Sequence, residues 1–329
     1  MVDEEHLRRV KISARPPGQR AVAHILWLTY LFPSKTNIVL EGLENIPKGE
    51  GVMFALNHTD RYNYFPLQFE LWRRNHERMT MAWVKAKYYE NKVLGGFFDL
   101  CNNLPLPSRG YIILKDAYAV LNRKMDDAEY RIVRDLADGK LSQESAMDTA
   151  NADLRKLFTQ ERRDFDPSRE GYFEFVNRWN DRLMGLVEER SLEALRVKQN
   201  HVIVFPQGTR SIRLLPSRTG MLQFALRHQI PIVPVGSNGC EKIYPTGNPL
   251  AKGGTVTYRI GKPMRVTDAF APYKIDEPFK PFTKQADVHE DALEGAAKCL
   301  TQAIDELLDE PYKMARDGAD VGTRADRLI

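Results

Sequence analysis

Short apolar runs bounded by Gly, Pro and Asn alternate along this chain with stretches in which apolar residues recur every three or four positions. The first kind suits buried strands, the second helices packed along one face. Strands are predicted at 37–41, at 52–56 (VMFAL), within TMAWVKAKY (80–88), in HVIVFP from 201, in IPIVPV (230–235) and in TVTYRI from 255. The two prolines of IPIVPV predict an edge strand or a bent one, because proline cannot donate to a ladder. Helices are predicted over 21–32, within NKVLGGFFDL (91–100), at the end of FALRHQ (224–229) and over 289–310. A further helix should start near Asn63, which would be its N-cap, with Pro66 in the first turn. LPLPSRG reads as a proline-stiffened extended segment ending at Arg109.

Between 115 and 198 the pattern is helical throughout. Tyr118, Leu121, Met125, Ile132 and Leu136 keep helical spacing, as do Phe173, Val176, Trp179, Leu183 and Leu186, with charged residues on the other faces. That charge reads as a solvated face, with partner binding as the alternative. Strands alternating with helices predict an α/β fold, a mixed, mostly parallel sheet flanked by helices, carrying a charged helical insertion. The expected layout is an N-terminal interfacial helical segment (1–36), an α/β domain formed by 37–114 and 199–312, the insertion (115–198) and a polar tail (313–329). No internal repeat is present.

Composition narrows the class. A chain of 329 residues with 43% hydrophobic and 28% charged residues can bury a sizeable core, and a net charge of +4 does not suggest a nucleic-acid protein. Cys101, Cys240 and Cys299 are far apart and odd in number, which argues against a disulfide framework or a zinc site and favours a reducing, cytosolic setting. The charged start lacks a secretory cleavage pattern. AVAHILWLTYLF (21–32) is too short to span a bilayer, which needs about 20 apolar residues. With Arg15 and Arg20 ahead of it and Trp27, Tyr30 and Phe32 toward its end, it suits either core packing or peripheral contact with a membrane.

Two loops carry candidate chemistry. NHTDRYN (57–63) follows a strand and offers His58 with Asp60 and Asn63 nearby. FPQGTRS (205–211) follows another: Gly208 frees the backbone, Thr209 and Ser211 offer hydroxyls, and Arg210 offers a planar fork of donors suited to a phosphate. Taken singly, a histidine after a strand is usually a loop residue and a polar turn with one arginine is commonplace. Their order changes the reading. NH-x4-N at 57–63, an Arg-terminated segment at 103–109, FPQGTRS and IPIVPV resemble, in sequence, the four blocks of the glycerolipid (lysophospholipid) acyltransferase family: NH-x4-D, G-x-x-F-x-x-R, FPEGTRS and VPIVPV. The lead-in LEGLENIPKGEGVMFALNH and the stretch SRTGMLQFALRHQIPIVPVG are also similar to the family, so the resemblance covers 38–110 and 198–265. Asn63, Gln207 and Asn103 stand where the family carries Asp, Glu and Gly.

The resemblance implies an acyltransferase that moves a fatty acyl group from acyl-CoA or acyl-carrier protein to the hydroxyl of a lysophospholipid, most plausibly 1-acyl-glycerol-3-phosphate. His58 would be the general base, with Asn63 in the place of the family's aspartate or Asp60 substituting for it. Arg109, Gln207, Gly208, Thr209, Arg210 and Ser211 would hold the acceptor's phosphate. Because a thioester is already activated, no cofactor and no metal are expected. The implied partners are the two substrates and a membrane surface at its cytoplasmic face, with acyl-carrier protein as a further candidate and no nucleic acid. Two neutral amides at acidic positions fit either a retuned pocket or a retired one, so a non-catalytic lipid- or acyl-carrier-binding protein is the alternative. A hydrolase has little support, since no G-x-S-x-G elbow is present.

Overall fold

Among the described residues, seven short apolar runs pair into one sheet: β1 (Thr36–Glu41), β2 (Met53–Leu56), β3 (Thr80–Lys85), β4 (Asn103–Leu106), β5 (His201–Val204), β6 (Ile232–Asn238) and β7 (Gly254–Ile260), in the order β1-β7-β6-β2-β5-β3-β4. The structure is a computed structural model and describes residues 2–32, 34–162, 164–245 and 248–315. The polar tail expected from 313 therefore lies, from 316 onward, outside the described residues. β2 is parallel to both β5 and β6, β3 is parallel to β5, and β1 is parallel to β7, whereas β6 and β7 are antiparallel. The fold is thus the α/β class with a mixed, mostly parallel sheet. β2, β5 and β6 are buried along their whole length, as central strands with both faces covered must be.

The helices in chain order are α1 (Glu4–Arg9), α2 (Pro17–Leu31), α3 (Phe65–Arg73), α4 (Lys92–Leu100), α5 (Arg109–Leu121) and α6 (Asp127–Ala137). They continue with α7 (Gln143–Thr149), α8 (Ala152–Thr159), α9 (Tyr172–Leu192), α10 (Gly220–His228), α11 (Cys240–Ile243) and α12 (Glu290–Asp305). By contacts the chain divides into two compact units. A helical unit comprises Met1–Val10, Val84–Gly96 and Pro105–Glu188; a sheet unit comprises Lys11–Trp83, Phe97–Leu104 and Glu189–Ile329. In the helical unit four starts are fixed by a side chain that replaces a missing helical acceptor: Ser108 for α5, Asp126 with Glu129 as a capping box for α6, Ser142 for α7 and Asn151 for α8. In the sheet unit α2 packs against α3 and β1, while α12 packs on β6 and α10.

Two local expectations are corrected. The IPIVPV run is not an edge strand: β6 lies between β7 and β2. Its prolines are tolerated because Pro231 precedes the strand and Pro234 falls between two stretches of antiparallel pairing. Ile232 exchanges both backbone bonds with Met264, and the register with β7 resumes only at Val235. Gly261 N–H still donates to the Pro234 carbonyl at 2.9 Å, so what is missing is only the donor proline never has. Asn63 does not cap α3. The N-cap is Tyr64, without a side-chain cap bond, and Pro66 does sit in the first turn.

The charge of the 115–198 stretch is not simply a solvated face. Asp116 and Glu129 are both 5% exposed. Asp116 takes two bonds from Arg162 (2.9 and 2.7 Å) and one from the Tyr172 hydroxyl (3.0 Å). Glu129 takes two from Arg123, both 2.7 Å.

Candidate active site

In the parallel set β5-β2-β6 all three carboxyl ends lie at one edge of the sheet, which is where ligands of open α/β sheets bind. The 57–64 loop leaves β2 there and the 205–211 turn leaves β5, so the topology alone makes the two candidate loops neighbours. Asn57 fastens the first loop to β6: its Nδ2 donates to the Ser237 carbonyl (3.0 Å) and its Oδ1 accepts from the Ser237 amide (2.7 Å). Asn63 Nδ2 donates to the Asn57 carbonyl at 2.6 Å, and the Tyr258 hydroxyl of β7 donates to the Asn63 carbonyl at 2.6 Å. Asn57 and Asn63 are both essentially inaccessible, so these bonds form away from competing water.

His58 is held between the loops by its own backbone. Its amide donates to Gln207 Oε1 (3.3 Å) and its carbonyl accepts from the Ser211 amide (2.8 Å). The half-buried imidazole stacks on Phe205, with ring centroids 4.0 Å apart and planes 16° from parallel. Gln207, 2% exposed, uses its other end as well: Nε2 donates to the Thr209 carbonyl at 2.8 Å. Gly208 sits at φ +71°, in the left-handed region that favours glycine.

The two amides at positions where the family carries acids thus share one chemistry. Asn63 and Gln207 each donate an N–H to a backbone carbonyl, which no carboxylate can do. Asn63 Oδ1 is buried and has no hydrogen-bond partner among the described residues.

Asp60 is 9% exposed. Its Oδ1 accepts from the Tyr62 amide (2.8 Å) and its Oδ2 from the Thr59 hydroxyl (3.0 Å). Burial raises its pKa from 3.8 to about 6, against the opposing pull of the Tyr62 amide, the Thr59 hydroxyl and the Cys240 thiol. Beneath it lies a buried phenol pair, Tyr30 and Tyr244, with hydroxyls 2.6 Å apart.

Arg109 opens α5 in the helical unit, while the other candidates belong to the sheet unit. Its Nη1 lies 3.1 Å from Asp138 Oδ1, and Arg134 Nε lies 2.7 Å from the other oxygen. Burial works against ionisation of Asp138, yet Arg134 and Arg109 hold its carboxyl below the usual range. Among the described residues no group of three or more His, Cys, Asp or Glu side chains is placed to hold a metal ion. Asn57, Phe205 and Tyr258 were not singled out from sequence. Asn57 sits within the quoted NH pair, but nothing local shows that its amide reaches residue 237.

Residues 168–238 match the family model described as Acyltransferase. A 1-acyl-sn-glycerol-3-phosphate acyltransferase of Limnanthes douglasii is 36% identical over 90 residues, 26% of this chain and 32% of that protein. The enzyme of the same description from Cocos nucifera is 33% identical over 75 residues, 22% of this chain and 24% of that protein. The matches therefore span a third or less of those relatives' length. The crystal structure of the 1-acyl-sn-glycerophosphate (LPA) acyltransferase PlsC from Thermotoga maritima is a weak likeness, at 16% identity and a TM-score of 0.38, covering 93% of this chain and 84% of that one. Over these stretches the chain is similar to acyltransferases. The family match contains the PQGTRS turn and β6 and stops short of His58 in sequence.

Two stability measurements test this geometry. Since the folded state raises the Asp60 pKa, the stability it contributes is complete below about pH 4 and is lost as pH rises through about 6. At neutral pH the ionised carboxylate costs up to about 3 kcal/mol. Asp60→Asn should therefore melt higher than the wild type at about pH 8, with the gap closing toward about pH 4; a gap that ignores pH would contradict this. Asn63→Asp should lose roughly 2 to 4 kcal/mol in urea unfolding at neutral pH, because a carboxylate oxygen would face the Asn57 carbonyl where a donor now sits. An unchanged midpoint would show that the Asn63 donor is dispensable.

Proposed function

We propose that this protein transfers a fatty acyl group from acyl-CoA or acyl-carrier protein to the free hydroxyl of a lysophospholipid, with 1-acyl-glycerol-3-phosphate as the acceptor. The observation that carries the reading is the clasp on His58: its N–H is bonded to Gln207 and its C=O to Ser211, within the turn that bears the anion-binding groups. An imidazole fixed in this way is suited to stand beside a phosphate-bearing acceptor. His58 takes the proton of the acceptor hydroxyl as its oxygen bonds to the thioester carbonyl carbon. The C–S bond then breaks, and the imidazolium returns the proton to the departing thiolate. Gly208, Thr209, Arg210 and Ser211 are the groups assigned to the acceptor's phosphate. Asp60, ionising near neutral pH, supplies negative charge close to the base, and Asn63 braces the loop in place of a carboxylate partner.

A lipid acceptor requires access to a bilayer. No described helix is long and apolar enough to cross one. α2 instead turns Ala23, Leu26 and Tyr30 inward and leaves Ile25 56%, Leu28 62% and Leu31 56% exposed, with Phe32 at its end 80% exposed. Arg15 and Arg20 beside its start are exposed as well. An exposed apolar face on a helix whose opposite face is packed inside the protein, with arginines beside its start, is suited to a membrane interface and supports peripheral binding.

Thiol release from acyl-CoA by the purified protein, with and without 1-acyl-glycerol-3-phosphate, tests the reaction. Release should depend on the acceptor, and His58→Ala should lower it by about 10²-fold or more. Acceptor-independent release would make the protein a thioesterase. No release, with retained lysolipid binding, would favour the non-catalytic reading. In flotation with phosphatidylglycerol vesicles the wild type should rise with the lipid, and the double change Leu28→Asp with Phe32→Asp should leave it at the bottom at an unchanged melting temperature. Equal flotation would move the docking surface elsewhere.

A further inference from the structure

We propose that Arg218 is a further binding residue of the site, holding a substrate phosphate against the Gly208 turn. The inference rests on the acyltransferase reading. The segment after the turn folds back so that the Arg218 amide donates to the Pro206 carbonyl at 2.9 Å. Its side chain then crosses the face of Gly208: a Cβ built there would stand 3.0 Å from Arg218 Nε and 3.1 Å from Cδ. Gly208 supplies the positive φ, and a side chain there would displace the arginine stem. From Gly208 the next residue back is Gln207, whose side chain accepts the His58 amide.

The charge of Arg218 is uncommitted. The side chain is exposed, and among the described residues it forms no ion pair or hydrogen bond. α10 begins two residues later without a side-chain cap and with no acidic residue in its first turn, so the helix dipole adds to the positive potential instead of being offset. A second group also lacks a partner: the Ser211 hydroxyl, in a residue 2% exposed, has none among the described residues. Arg109, by contrast, already faces the Asp138 carboxylate within its own unit. A guanidinium fork, an unpaired buried hydroxyl and an uncapped helix start have one shared complement, a phosphate. Two sources carry it: the acceptor's head group and the phosphates of the donor's coenzyme.

Calorimetric titration of the full chain with sn-glycerol 3-phosphate and, separately, with coenzyme A distinguishes them. Arg218→Gln should weaken one of the two by about tenfold, the value for one charge-assisted bidentate contact, at an unchanged melting temperature. Arg218→Lys should restore part of the loss, and Gly208→Ala should weaken the same ligand by displacing the arginine. Loss confined to glycerol 3-phosphate assigns the acceptor phosphate; loss confined to coenzyme A assigns the donor. Equal binding of both ligands by wild type and Arg218→Gln, or binding of neither by the wild type, overturns the proposal. Failure of acyl transfer would show in the thiol-release assay and leave these affinities untouched.

Discussion

Asn57 holds the carboxyl end of β2 against β6 by two hydrogen bonds to Ser237, and every feature of the candidate site depends on that attachment. β2 ends at Leu56, so the loop bearing His58 would otherwise be free to leave the sheet edge. Once Asn57 is fixed, its carbonyl presents an acceptor to Asn63, and Asn63 in turn meets Tyr258 from β7. The loop is thereby held at both ends from the sheet beneath it. Gln207 and the Ser211 amide then grip the His58 peptide from the β5 side. The bonds are few, but most lie out of reach of water, and a buried polar group that lost its partner would cost about 1 to 3 kcal/mol.

What the sequence disclosed and what it concealed follow from the range of the interactions. β1, β2, β5 and β7 lie within a few residues of their apolar runs, because a buried strand leaves a local signature. The PQGTRS turn was equally legible, since a glycine after a strand end marks its conformation locally. The N-cap assignment of Asn63 failed because a competing bond was stronger than the local preference: its amide reaches back six residues to the Asn57 carbonyl. The edge alternative for the strand of Pro234 fails for a similar reason. Whether a missing N–H matters depends on the neighbouring strand, and the interruption between Ile260 and Met264 lies in a distant part of the chain. The Asp138 carboxylate beside Arg109 comes from a different helix, 29 residues on, with no mark in either segment.

The inward-facing charge of the helical unit has the same origin. Periodicity identifies an apolar stripe and assigns the remainder to solvent, yet Asp116 lies in the interior with Arg162, whose guanidinium is 4.4 Å from the Phe165 ring and 5.1 Å from that of Phe175. Burial favours protonation of Asp116, while Arg162 and the Tyr172 hydroxyl oppose it. Such a pair adds little net stability compared with apolar packing, but it penalises any arrangement that separates its members. The charge of the insertion therefore serves in part to specify the packing of its own helices. It is not by itself a sign of an external partner.

The sheet unit arranges charge in the opposite sense. Around the PQGTRS turn, positions where the family carries acids hold neutral amides, and those amides make backbone contacts a carboxylate would repel. Their neutrality has a second effect. A carboxylate at Asn63 or Gln207 would lie in a region of low dielectric, where its field reaches the turn with little screening. With amides there, Asp60 is the carboxylate that remains in the 57–63 loop, and burial delays its ionisation until about pH 6. The same replacements that remove a carboxylate partner for the histidine thus also keep two negative charges away from the turn. Retention of an ionisable group at such a depth, at a cost in stability, is the pattern of a group kept for function. The departures from the family pattern consequently have a physical logic of their own: structural donors replace charges at two positions, and one titrating carboxylate remains.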